Sequence, residues 1–181
     1  MNTRIFYLLS IFFFLNLKIC LAEEKNNITT KEHKDWAVRC INNDKAKKCE
    51  VIQILKVSNS NLQFTIVYSN FLNTKKEKKN VINIITPLGV NVQTPATIRF
   101  EKGLTISIPF RKCEVVGCII SISNDTTDPA IESLFKQIKE AMKKSIYFEI
   151  LVDGFREKPF LIKSSLQGFE DALTEFEKQK N

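Results

Sequence analysis

Between residues 36 and 163 the chain is cut into nine short β-type runs, at 36–40, 49–57, 62–69, 81–86, 97–100, 104–110, 118–123, 146–152 and 160–163. Several alternate with period two. In the sixth run Leu104, Ile106 and Ile108 are interleaved with Thr105 and Ser107, which places three apolar side chains on one face of a half-buried strand. The stretch Val51-Ile52-Gln53-Ile54-Leu55 is less regular and fits burial on both sides. Glu101-Lys102-Gly103 and Asp153-Gly154 are hairpin signals between runs. Short strands joined by such turns predict a mainly β fold, an antiparallel β-sandwich.

Two helices interrupt the pattern. Asp128-Pro129 supplies an N-cap followed by proline at the first helical position. Ile131, Leu134, Phe135, Ile138 and Met142 then fall on one stripe, with Lys136, Lys139, Lys143 and Lys144 on the other side or at the C-terminal end. A C-terminal helix is expected over 168–178, burying Phe169, Ala172, Leu173 and Phe176.

The N-terminus sets the compartment. Arg4 precedes a 13-residue apolar run over 5–17, shorter than the ~20 residues that span a bilayer. Cys20-Leu21-Ala22 puts small residues at the positions signal peptidase reads, and a polar stretch follows. Residues 1–22 are therefore expected to be a signal peptide cleaved between Ala22 and Glu23, giving a periplasmic or secreted protein. Lipidation of Cys20 is disfavoured because Ile19 stands where a small residue is needed. Cleavage removes one of five cysteines and leaves Cys40, Cys49, Cys113 and Cys118, an even set suited to two disulfides in an oxidising compartment. Four cysteines allow three pairings. Local pairing, Cys40 with Cys49 and Cys113 with Cys118, is expected because a polar or glycine-containing connection separates β-type runs in each case.

Residues 23–34 are nearly devoid of apolar side chains and read as a flexible polar arm, with a single domain over 35–181. The full chain carries a net charge of +7, two units of which, Arg4 and Lys18, leave with the leader. The remainder is mildly basic.

Four motifs stand in order along the chain: Asp35-Trp36-Ala37-Val38-Arg39-Cys40; Thr86-Pro87-Leu88-Gly89-Val90; Phe110-Arg111-Lys112-Cys113-Glu114-Val115-Val116-Gly117-Cys118; and Ser165-Leu166-Gln167-Gly168-Phe169. With Gln53 shortly after Cys49 and a signal peptide ahead, this combination resembles the invasion-associated locus B family of Gram-negative envelope proteins over residues 35–176. The resemblance implies an immunoglobulin-like antiparallel β-sandwich with one inserted helix and a C-terminal helix. It also implies an envelope role, connected in some members with entry into host cells. It brings no catalytic residues. The Lys-rich stretch near residues 73–80 departs from the family pattern.

The side chains themselves offer little catalysis. His33, the sole histidine, falls in the polar arm as a solvated side chain, leaving no base for a Ser-His or Cys-His pair. The cysteine spacings match neither a zinc ribbon nor a thioredoxin-type motif. Asp125, Asp128 and Glu132 are accounted for by a loop and a helix N-terminus, and lack the spacing of a calcium loop. Neither a metal nor a cofactor is expected. The basic clusters Lys45, Lys47, Lys48 and 75–79 lack interleaved aromatics for nucleic acid and suit anionic lipid headgroups or acidic glycans better. Thr86–Val90 and Ser165–Phe169 read as a turn and a strand-to-helix junction. The expected function is a non-catalytic envelope protein that binds a macromolecular partner or surface, a protein, lipid headgroup or glycan in the envelope or on a host cell. An envelope-maintenance or folding-assistance factor is the alternative, and a hydrolase the third reading.

Overall fold

A computed structural model describes residues 27–43, 46–58, 60–156 and 158–179. The leader and its cleavage site lie outside these residues. Two antiparallel sheets carry the fold. The larger has seven strands in the order β1-β2-β3-β4-β5-β9-β8, and the smaller has four in the order β11-β10-β6-β7. Their strands are β1 (Asn27–His33), β2 (Trp36–Asn43), β3 (Ala46–Lys56), β4 (Gln63–Leu72), β5 (Lys78–Thr86), β6 (Ala96–Phe100), β7 (Thr105–Ile108), β8 (Phe110–Glu114), β9 (Gly117–Ser123), β10 (Tyr147–Val152) and β11 (Phe160–Ser165). Helices α1 (Pro129–Lys144) and α2 (Phe169–Lys178) complete the mainly β sandwich with its inserted and C-terminal helices. No described helix is long and apolar enough to cross a membrane.

Period-two alternation builds the core. Trp36, Val38 and Cys40 of β2, Phe64, Ile66 and Tyr68 of β4, and Ile82 and Ile84 of β5 are buried. Antiparallel register stacks such residues across strands, as in Val51 opposite Tyr68, Tyr68 opposite Ile82, and Ile82 opposite Ile122. Ile98, Phe100, Ile106, Ile108, Phe148 and Ile150 form the facing layer on the small sheet. Each such side chain contributes about 1.5–3 kcal/mol on leaving water. Helix α2 packs against β1, β2 and β3, and α1 against β9 and α2, so helices and small sheet share one face of the large sheet.

Three expectations are corrected here. Residues 27–33 of the supposed arm are strand β1, paired along its whole length with β2 and tied to α2 by the Lys31–Glu175 ion pair at 2.9 Å. Its side chains are exposed, as suits a charged edge strand. The run 104–110 is two strands: β7 belongs to the small sheet, and after Pro109 the chain enters the large sheet as β8. Proline lacks the N–H a ladder requires, so it marks the handover. Asp153-Gly154 does open a hairpin, β10 pairing antiparallel with β11, through a loop in which Gly154 bridges to Val90. On α1 the buried stripe is Phe135, Ile138 and Met142, whereas Ile131 is exposed in the first turn. The Asp128 carboxylate accepts from the Ala130 N–H at 2.8 Å, as an N-cap should.

Candidate interaction surface

The sequence motifs converge on two buried knots. In the first, the Trp36 indole N–H donates to the Ser165 carbonyl at 2.9 Å, and its ring meets Phe169 edge-on at 4.9 Å. The Gln53 amide donates to the Asp35 and Ser165 carbonyls, at 3.1 and 2.9 Å, and accepts from the Ser164 hydroxyl at 2.6 Å. Gln53 and Ser164 are both buried, and this network gives them the partners that burial demands. Gly168 sits at φ +88°, where a Cβ would collide with the carbonyl oxygen of His33. Only glycine serves there.

His33 is thus no solvated arm residue. It lies opposite Trp36 at the end of β1, half-buried, with its Nε2 enclosed and without a hydrogen-bond partner among the described residues. Phe169 and Phe176 also pack edge-on against Tyr68. Burial, with the Glu177 carboxylate nearby, pushes the Tyr68 hydroxyl above its ordinary range, and the Lys139 ammonium lies 5.5 Å from its ring centre.

The second knot joins β5 to β9. The Thr86 hydroxyl donates to the Cys118 carbonyl at 3.2 Å. Gly117, at φ +137°, presses so closely on the Thr86 carbonyl that a Cβ would overlap it. The disulfides are Cys40–Cys49 and Cys113–Cys118, each between directly opposed residues of a hairpin, with Cα atoms 4.0 and 3.9 Å apart. All four cysteines are therefore engaged. Among the described residues no group of three His, Cys, Asp or Glu side chains could hold a metal ion.

What remains for recognition is the surface. The large sheet's register brings together the two basic clusters that sequence separates. Lys47 and Lys48 at the start of β3, Asn70, Phe71 and Leu72 at the end of β4, and Lys78 at the start of β5 line one cleft. Leu72 stands directly opposite Lys78. Lys75 and Lys76 project from the adjoining turn, where Lys76 takes a positive φ of 61°. Among the described residues Lys48, Lys75, Lys76 and Lys78 form no ion pair, and Lys47 donates to the Gln179 side chain. Lys79, by contrast, is neutralised by Glu77 at 3.0 Å, which lowers the Glu77 carboxyl below its ordinary range and raises the Lys79 ammonium. Phe71 and Leu72 are exposed on the cleft's floor. The structure does not describe Lys45. Sequence separation hid this site; its signal was two lysine clusters that β3 and β5 bring to either side of β4.

A search of curated protein sequences returned no match. Among solved structures, the crystal structure of invasion associated protein B from Bartonella henselae is similar, with 21% identity and a TM-score of 0.63, over 84% of this chain and 99% of that one. At that identity the likeness speaks for the fold. The family model for the invasion associated locus B (IalB) protein matches residues 36–177, a span that takes in Trp36, Gln53 and Gly168, both disulfides and the basic cleft, and the chain belongs to that family.

Proposed function

We propose that this IalB-family chain is an exported, non-catalytic protein that binds an acidic glycan surface through the basic cleft, in the envelope or on a host cell. The observation that carries this reading is the cleft itself. Lysines from two strands, β3 and β5, and the adjoining turn, without ion-pair partners among the described residues, lie around exposed Phe71 and Leu72. Ammonium groups suit sulfate or carboxylate substituents, and an apolar floor suits the C–H faces of sugar rings. Two disulfides support passage through an oxidising compartment.

The test is retention of the full chain on immobilised heparin, with Lys48→Ser, Lys76→Ser and Lys78→Ser combined. The wild type should be retained at low salt and released as salt rises, with the triple variant at least about tenfold weaker. Equal retention of the two proteins, or none by the wild type, would reject the glycan reading.

A further inference from the structure

The end of the sandwich opposite the basic cleft has a different chemistry. Three loops meet there: residues 87–95 between β5 and β6, residues 115–116 between β8 and β9, and, between β10 and β11, residues 153–156 and 158–159. They are fixed to one another. Gly117 abuts the Thr86 carbonyl, the Phe155 N–H donates to the Gly89 carbonyl at 2.7 Å, and the Asn91 N–H donates to the Asp153 carbonyl at 2.7 Å. The Cys113–Cys118 disulfide clamps the middle loop at its base.

On this braced end, large apolar side chains point into water. Val115 is 95% exposed, Val116 67%, Phe155 58% and Leu88 56%. A hairpin tip is free to carry polar residues, and Val115-Val116 occupies the most solvated position of its loop. Arg156, next to Phe155, takes φ +69°, a left-handed conformation unfavourable for a residue with a Cβ, and its guanidinium lies 5.2 Å from the Phe155 ring centre. Lys158 is exposed on the same loop as Phe155, with Asp153 as the described acid there, while Arg111 and Lys112 are exposed behind the valines on β8, where they line the sheet face and Lys112 pairs with Glu114.

We infer that this end is a membrane-docking tip, in which the valines, Phe155 and Leu88 enter the headgroup and upper acyl region of an anionic bilayer while the flanking cations meet lipid phosphates. Charge selects the occupant. Apolar side chains at a tip with Arg156 and Lys158 beside them and Arg111 set back on β8 are an arrangement that binds an anionic lipid interface, through apolar burial and electrostatic attraction together. Their seat on protruding loops, and not along a groove, suits a deformable phase that closes around a convex tip. This surface is independent of the basic cleft, and either reading can fail alone.

Flotation of the full chain with phosphatidylcholine vesicles, with and without phosphatidylglycerol, is the test. The wild type should float with the anionic vesicles and be released by salt. Val115→Asp with Val116→Asp should weaken binding at least about tenfold, as should Phe155→Ser on a separate loop, which guards against misfolding of either variant. Leu72→Asp, at the opposite end, should leave flotation unchanged. The tip is refuted if the wild type does not float with anionic vesicles, if both tip variants float as well as the wild type, or if only Leu72→Asp or the lysine substitutions abolish flotation.

Discussion

The Cys40–Cys49 and Cys113–Cys118 disulfides both clamp hairpins of the large sheet, but at opposite ends and among different surroundings. Around Cys113–Cys118, and at the Trp36 knot on the far side of the same sheet, glycines pack against backbone, and at the latter buried Gln53 and Ser164 find partners. Around Cys40–Cys49 the hairpin opens into lysines, and the cleft is built from long, solvated side chains. The motif-rich end is architecture that this chain uses to hold its two sheets and C-terminal helix together. The lysine-rich end is built almost wholly from residues outside the four motifs. Motif residues here therefore point to the scaffold, and the search for specificity belongs to surfaces the motifs leave unspecified.

That contrast can be broken by mutation. The largest effect should come from Trp36→Ala, which removes a fully buried ring, its bond to the Ser165 carbonyl and its contact with Phe169. A loss of ~3–5 kcal/mol in chemical denaturation is expected. A loss below about 1 kcal/mol would mean that the motif end is not the structural anchor described above.

Next come the bridges. Replacing either cysteine pair by serine should cost ~2–3 kcal/mol, since both close short loops. The Cys113–Cys118 pair should also alter the exposed tip, read as loss of vesicle flotation, whereas the Cys40–Cys49 pair should leave flotation intact. Reversal of that assignment would exchange the roles given to the two ends. The smallest stability effect belongs to Lys48, Lys76 and Lys78, exposed and without ion pairs among the described residues. Their combined replacement by serine should shift stability by no more than ~0.5 kcal/mol per site while lowering heparin retention. A large destabilisation would show that the lysines belong to the scaffold after all.

Particular residues show how far the sequence could be read. Leu104, Ile106 and Ile108 revealed a strand through alternation, and Phe169, Ala172, Leu173 and Phe176 revealed a helix face; all four of the latter are buried. Such patterns are legible because one element meets one core. Strand β1 was illegible because an edge strand whose side chains stay exposed as far as Glu32 needs no apolar period, and its ladder partner, β2, supplies the reason it forms. Pro109 was visible, but its meaning depended on a second sheet that no local window contains. Ile131 fitted the helical period yet lies exposed in the first turn of α1. The local pairing of cysteines followed from hairpin geometry. The cleft did not, because Lys47, Leu72 and Lys78 become neighbours only through the register of β3, β4 and β5.

The bond between Trp36 and Ser165 spans 129 positions of chain, and with Gly168 seated on His33 it governs the order in which the protein can be finished. The first strands to emerge during synthesis present Trp36, Gln53 and Tyr68 with nothing to cover them, and their covering arrives only with β11 and α2, the last elements made. Contacts this distant in sequence form late, after loop-closure entropy has been overcome. The opening residues thus act as a completeness check: a chain cut short before residue 164 retains every strand of the seven-stranded sheet and still exposes the side chains that would mark it as unfinished.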